Sequence, residues 1–153
     1  MKKSLAIIIL CMFIILLFYF LYFFPLERFS VVEKRPILFR YASDVPEGYV
    51  NGQILTIEYK YGPLLRSKKE FLTAEIMEFS SASFAEKLLN NSLNTLGSLW
   101  EYRGETTLED GKAKIFQEKK SGKFFVLFQK NKKIIQVSSG EVDKAKKVIK
   151  WLI

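Results

Sequence analysis

The residues from Ser4 to Phe24 form an uncharged run, SLAIIILCMFIILLFYFLYFF, with Lys2 and Lys3 before it and Pro25 after it. At 1.5 Å per residue a helix of this length extends roughly 31 Å, which is enough to cross the hydrocarbon core of a bilayer, about 30 Å thick. The sequence therefore predicts a transmembrane anchor over residues 1–25. Every later residue then belongs to a part of the chain that is held at a membrane.

The end of the apolar run distinguishes a retained anchor from a cleaved leader. A signal peptide has an apolar region of about 7–15 residues followed by small side chains at the cleavage site. This run is longer and ends in Phe23, Phe24 and Pro25. A lipoprotein would place its cysteine after the run, whereas Cys11 lies inside it. We predict a single-pass signal anchor.

Basic residues flank the run on both sides, so the positive-inside rule gives a nearly balanced count. Lys2 and Lys3 precede it, and the following twenty or so residues contain Arg28, Lys34, Arg35 and Arg40. The very short N-terminal segment favours an extracytoplasmic position for the rest of the chain. A cytoplasmic position is the open alternative.

Two residue types are scarce in a way that limits the chemistry. The chain of 153 residues carries a net charge of +8, contains no histidine and has one cysteine, Cys11. The part after the anchor therefore has no disulfide, no thiol nucleophile, no Cys/His metal ligands and no imidazole base. We expect no cofactor and no metal, and we predict that the chain is not an enzyme.

The rest of the sequence divides into a predicted stalk, residues 26–49, and one soluble domain, residues 50–153. Prolines frame the stalk, and charges interrupt its apolar residues. In the domain, alternating and helical apolar patterns predict the order β-β-α-β-β-β-β-α. The predicted strands and helices cover residues 54–61, 71–79, 83–96, 100–108, 112–118, 124–129, 134–138 and 141–152. We predict an α+β fold, an antiparallel sheet of about five to six strands with two helices on one face.

Two arrangements of catalytic residues can be formed without histidine or cysteine. Ser83 and Lys87 lie four residues apart on a predicted helix, but Ser83 also has the capping-box spacing with Glu86, and we prefer that structural role. Paired carboxylates are the other arrangement. The candidates, none of which is singled out as a pair, are Glu75, Glu78, Glu101, Glu105, Glu109 and Asp110.

Two lysine clusters surround successive predicted turns and must lie at opposite ends of the sheet. We expect them to contact lipid headgroups or an acidic partner if they bind anything, and otherwise to keep exposed turns from aggregating. They comprise Lys119, Lys120 and Lys123 in one cluster and Lys130, Lys132 and Lys133 in the other.

Aromatic residues on a sheet face are a further candidate surface, since they can stack bases or sugars. The sequence motif of an RNA-recognition sheet is missing, so no nucleic acid partner is expected. The residues concerned are Tyr41, Tyr49, Tyr59, Tyr61, Trp100, Tyr102 and Phe116.

Two segments carry a resemblance to a known group of proteins: FSSASFAEKLL at residues 79–89, and the ending KAKIFQEKKSGKFFVLFQKNKKIIQVSSGEVDKAKKVIKWLI. Together with the anchor, they resemble small membrane-anchored archaeal proteins of unknown function. The likeness covers about residues 50–153. It implies a fold and a location, and it transfers no catalytic residue.

These features together predict a membrane-tethered extracytoplasmic domain that binds a protein partner or assists a membrane complex. Its contact surface would be the polar face of the sheet or an exposed strand edge. The alternatives are an envelope hydrolase that uses carboxylates or a Ser–Lys pair, and a cytoplasm-facing domain that binds anionic lipid. The sequence leaves the oligomeric state open.

Overall fold

The computed structural model describes residues 2–153 as three α-helices, seven β-strands and three short 3-10 helices. The α-helices are α1 (Lys2–Phe23), α2 (Ala82–Thr95) and α3 (Val142–Leu152). The strands are β1 (Pro25–Pro36), β2 (Tyr49–Pro63), β3 (Lys68–Phe79), β4 (Trp100–Leu108), β5 (Gly111–Glu118), β6 (Phe124–Lys130) and β7 (Lys133–Ser139). The 3-10 helices are Ala42–Asp44, Leu64–Arg66 and Gly97–Leu99. All seven strands join one antiparallel sheet in the order β1-β2-β3-β7-β6-β5-β4.

Two compact units make up the chain. The first contains the described residues up to Ser30 together with Glu58–Glu70, and the second contains Val31–Ile57 and Phe71–Ile153.

The first unit contains α1, whose segment Ala6–Phe23 is long and apolar enough to cross a membrane and has no buried residue. Aromatic side chains concentrate where this helix ends, and Phe20 stacks on Phe24 with ring centroids 4.5 Å apart. Beyond the helix, Phe29 stacks on Tyr59 at 4.7 Å. The Tyr59 hydroxyl lies 2.9 Å from a carboxylate oxygen of Glu27, to which it donates a hydrogen bond. Burial and hydrogen bonding of Tyr59 thus tie β1 to β2 within this unit.

The centre of the sheet in the second unit is an antiparallel meander. Val126 of β6 lies opposite Ile115 of β5 and Val137 of β7, and Val137 in turn lies opposite Ala74 of β3. Because side chains alternate along a strand, residues in one such row share a face of the sheet. The neighbouring row, which includes Leu127, faces the other way.

Each face of this sheet is covered by one helix. Ala85 and Leu89 of α2 belong to the same buried cluster as Phe125 and Leu127. The opposite face carries Val126 and other buried residues, and α3 covers it, since α3 contacts β6 and β7 and its Leu152 lines a groove with Phe128 and Ile135. Two helix layers therefore enclose the sheet.

The α+β class and the antiparallel sheet are confirmed, and two details of the prediction are wrong. The sheet has seven strands rather than five or six, because β1 joins its edge. The two helices pack on opposite faces rather than on one, because apolar residues of β6 are buried on both sides.

Strand β1 lies within the segment predicted as a stalk, residues 26–49. The strand is almost wholly exposed, and the described stalk also contains the 3-10 helix Ala42–Asp44. Charged side chains such as Glu33 and Lys34 are typical of an edge strand that must avoid pairing with other chains. The domain boundaries 1–25, 26–49 and 50–153 stay a prediction.

Candidate functional site

Three of the predicted lysines, Lys130, Lys132 and Lys133, line an open groove of about 560 Å³ in the second unit. We call it the lysine groove. Its volume is within the range of about 300–1,000 Å³ that is usual for ligand pockets. Its full lining is Gln53, Ile76, Glu78, Phe128, Lys130, Asn131, Lys132, Lys133, Ile135, Leu152 and Ile153.

The floor of the lysine groove is apolar because it lies on the face of the sheet that α3 covers. Ile76, Ile135 and Phe128 occupy one row across β3, β7 and β6. Phe128 and Ile135 are almost completely buried, while Leu152 is half-buried and Ile153 is 49% exposed. The end of α3 thus leaves accessible apolar surface beside the lysines.

The turn that carries the lysines is fixed by backbone contacts. Asn131 adopts a positive φ of 53°, a conformation that asparagine tolerates well. Its carbonyl oxygen accepts a hydrogen bond from Gln129 Nε2 at 2.7 Å. The Lys132 carbonyl oxygen accepts one from the Phe79 amide at 2.8 Å, which joins the turn to the end of β3. The backbone under the lysines is therefore held in place.

The lysines of the groove have no carboxylate partner among residues 2–153, whereas other lysines of the second unit do. Lys112 pairs with Glu86 at 3.0 Å, for example. The one acid in the groove, Glu78, instead accepts a hydrogen bond from Asn51 Nδ2 at 3.2 Å. With three lysines and one glutamate in its lining, the groove therefore presents net positive charge above an apolar floor.

The other cluster, Lys119, Lys120 and Lys123, lies at the β5–β6 turn, at the opposite end of β6. Seven residues of strand separate the two turns by roughly 23 Å, so the clusters do not form one site. Gly122, with a φ of 72°, closes the turn, and its carbonyl oxygen accepts a hydrogen bond from Gln117 Nε2 at 3.0 Å. These lysines are exposed and also lack a carboxylate partner within the described chain.

Ser83 and Lys87 do not form a dyad, and Ser83 is not the helix cap. The N-cap of α2 is Ser81, whose hydroxyl accepts a hydrogen bond from the Phe84 amide at 3.4 Å. Ser83 Oγ lies 2.8 Å from Ser81 Oγ, and the Lys87 ammonium pairs with Glu47. Because the N-cap lies two residues before the predicted one, the capping-box interpretation of Ser83 and Glu86 is wrong.

The candidate carboxylates point in different directions. Glu75 and Glu78 lie three residues apart on β3, so the sheet separates their side chains. Glu109 pairs with Lys150 at 3.9 Å, and Glu101 with Arg103 at 3.3 Å.

Glu75 is an acid whose proton affinity is clearly perturbed. It is half-buried beside Gln136, whose Nε2 donates to it at 3.1 Å. Burial raises the pKa of Glu75 above its ordinary value, and the positive charge of Arg35 lowers that pKa in part. The raised pKa marks Glu75 as the strongest single candidate for acid chemistry.

Several of the predicted surface aromatics are structural. Tyr59 is 2% exposed and Phe116 is 1% exposed. Trp100 packs against Phe125 at 5.4 Å between ring centroids, and Tyr49 packs edge-on against Phe79 at 6.4 Å. These side chains stabilise the fold instead of forming an open stacking platform.

The comparisons with known proteins leave the family open. No family model matches the chain, and no curated protein matches it either. Among solved structures, the chain is similar to the extracellular domain of PknH from Mycobacterium tuberculosis, at 11% identity and a TM-score of 0.36, with 77% of this chain and 74% of that chain covered. A likeness this weak supports no argument about function. The comparisons also give no support to the resemblance to archaeal proteins.

Proposed function

We propose that this chain is a single-pass membrane protein whose second unit is an extracytoplasmic binding domain for an acidic, partly apolar segment of a protein partner. The observation that carries the proposal is the lysine groove, which combines an apolar floor with three lysines that lack a carboxylate partner among the described residues. Helix α1 supports the membrane anchor by its length and apolarity.

The two parts of the groove would contribute in different ways. Apolar side chains of the partner would cover Leu152 and Ile153, with a gain of roughly 25 cal/mol per Å² of buried apolar area. Carboxylates of the partner would pair with Lys130, Lys132 and Lys133. Such rim charges mainly raise the association rate and select the partner.

A peptide titration tests this assignment on the full-length protein in nanodiscs of zwitterionic lipid. The probe is a short fluorescent peptide of leucine and glutamate, and the same peptide with lysine in place of glutamate is the negative control. Exposed ion pairs contribute about 0.2–1 kcal/mol each, so the K130Q/K132Q/K133Q variant should bind the acidic peptide about 3- to 150-fold more weakly.

The other lysine cluster provides a matched control. K119Q/K120Q/K123Q removes the same charge from the opposite end of β6 and should leave the affinity unchanged. Equal weakening by both triple variants would indicate attraction by net charge alone, and an unchanged affinity in the groove variant would refute the site.

The extracytoplasmic position of the second unit is part of this proposal and is tested by protease protection. Protease added to intact cells should remove the second unit. Protection in intact cells together with cleavage in inverted vesicles would reverse the orientation and favour the cytoplasm-facing alternative.

We also propose that the chain is not an enzyme, because its strongest acid candidate, Glu75, is separated from Glu78 by the sheet and Lys87 is engaged by Glu47. Purified protein should show no turnover of generic ester or glycoside substrates. Turnover that disappears in Glu75→Gln would favour the envelope hydrolase.

A further inference from the structure

The 3-10 helix Leu64–Arg66, between β2 and β3 in the first unit, exposes two adjacent leucines. Leu64 is 47% exposed and Leu65 is 54% exposed. Turns of this kind usually carry small or polar residues, so two exposed leucines at the tip of a hairpin require a specific explanation. The strand before the turn ends at Gly62, with a φ of 98°, and Pro63, which together set the direction of the turn.

This turn lies against the end of α1. The guanidinium carbon of Arg66 is 5.5 Å from the centroid of the Tyr22 ring, a cation–π contact. Tyr22 is near the last residue of the helix, where Tyr19 also stacks on Phe23 at 5.1 Å. Tyrosine side chains at the end of a transmembrane helix lie at the membrane–water interface. If α1 spans the bilayer, the contact with Tyr22 brings the leucine turn to the same depth.

The charges next to the leucines suit the same environment. Arg66 follows them directly, and Lys68 is exposed two residues later. Interfacial protein segments combine buried apolar side chains with lysine and arginine at the level of the lipid phosphates. The turn therefore has both components, leucines at its tip and basic side chains immediately behind them.

We infer that Leu64 and Leu65 insert into the boundary between headgroups and acyl chains of the membrane that α1 crosses, with Arg66 and Lys68 against the lipid phosphates. The inference rests on the proposed anchoring of α1 in a bilayer, and it adds a second membrane contact in the same unit. The occupant of this apolar surface is lipid. With two contacts, the first unit is fixed against rotation about the axis of α1.

The experiment uses an environment-sensitive fluorophore on single cysteines of the full-length protein in nanodiscs. Cys11, the one cysteine of the chain, reports on the anchor directly. In a Cys11→Ser background, Leu65→Cys reports on the turn, and Leu64→Cys repeats the measurement at the adjacent position. Lys60→Cys is the control, because Lys60 lies roughly 14 Å back along β2 from Leu64.

The expected result is that the labels at Cys11 and at position 65 emit at shorter wavelength than the label at position 60. Lipids that carry a quencher should also quench these two labels. Mid-chain quenchers should act best on Cys11, and quenchers near the headgroup should act best on position 65. The label at position 60 should respond to water-soluble iodide instead.

Two results would overturn the inference in distinguishable ways. A lipid-quenched Cys11 label combined with an iodide-accessible label at positions 64 and 65 would leave the anchor intact and refute the insertion of the turn. A Cys11 label that lipid quenchers do not reach would refute the anchor itself, and the insertion with it.

Discussion

The position of α2 and α3 on opposite faces of the sheet can be tested by a double-mutant cycle. Leu89 of α2 is 1% exposed and Ile149 of α3 is completely buried. Truncation of a buried leucine to alanine costs about 2–5 kcal/mol, and Ile→Val costs about 0.5–1.5 kcal/mol. We therefore expect Leu89→Ala to lower the free energy of unfolding by about 2–5 kcal/mol and Ile149→Val by about 0.5–1.5 kcal/mol.

The informative quantity is the coupling between the two changes. Leu89 contributes to the cluster that contains Phe125 and Leu127, and the sheet separates this cluster from Ile149. Substitutions without shared partners add within about 0.3–0.5 kcal/mol. The double variant should thus lose about 2.5–6.5 kcal/mol, the sum of the single losses.

Urea unfolding of the full-length protein in detergent micelles, followed by tryptophan fluorescence, measures all four states of the cycle. Leu89→Ala combined with Phe125→Leu is the positive control, because both residues belong to one cluster and their effects should not add. A coupling between Leu89 and Ile149 as large as that of the control would show that the two helices share a core. It would refute the two-faced arrangement.

Three further substitutions test local features of the second unit. Gly111→Ala should lower the free energy of unfolding by about 1–3 kcal/mol and thereby lower the urea midpoint, since a Cβ there would overlap the Phe128 ring and lie 2.7 Å from a backbone oxygen; an unchanged midpoint would contradict this packing. Ser81→Ala should cost about 0.5–2 kcal/mol in thermal unfolding, and Ser83→Ala should cost less, because Ser81 is the cap; the reverse order would restore the predicted cap. Glu75→Gln should flatten the dependence of stability on pH. The folded state raises the pKa of Glu75, so the wild-type protein should lose stability as pH rises from about 4.5 through that raised pKa, and the variant should not.

Periodic apolar patterns were sufficient to predict most elements of the fold. The strand predicted at residues 100–108 coincides with β4, and the last helix differs from α3 by one residue. Helix α3 buries one side and exposes the other, and in the second half of β4 the partly or fully buried residues Gly104, Thr106 and Leu108 alternate with exposed ones, so a helical stripe or alternation reveals these segments. The anchor segment was equally clear from its length and its lack of charge.

Strand β1 was missed for the opposite reason. It is an edge strand with almost no buried residue, so no apolar alternation marks it. Its charges and its terminal prolines, Pro25 and Pro36, are typical of a linker as much as of a protected sheet edge. A linker and an edge strand differ in whether the segment pairs with another strand, and that pairing depends on residues distant in the sequence.

The sequence contains a pattern that indicates one helix on each face of the sheet, and the prediction did not use it. The segment Phe124–Phe128 is apolar without interruption, and four of its five residues are exposed by 7% or less. A strand with one covered face would alternate, whereas a continuous apolar strand needs cover on both faces. With two helices, α2 and α3, available after the anchor segment, such a strand requires one on each side.

The sequence alone did not distinguish between the two lysine clusters as candidate sites. The two lysine clusters are nearly equivalent in sequence, since each places three lysines around a short turn of the same meander. What distinguishes them is the structure beneath the turn, because α3 ends beside β6 and β7 and brings Leu152 next to Phe128 and Ile135. Because α3 follows β7 after a short connection, it runs back along the sheet towards the β6–β7 turn; the face of the sheet on which it packs is what the sequence analysis did not predict correctly. We therefore propose the cluster with an apolar floor as the binding site, and the reason lies in helix placement rather than in the lysines.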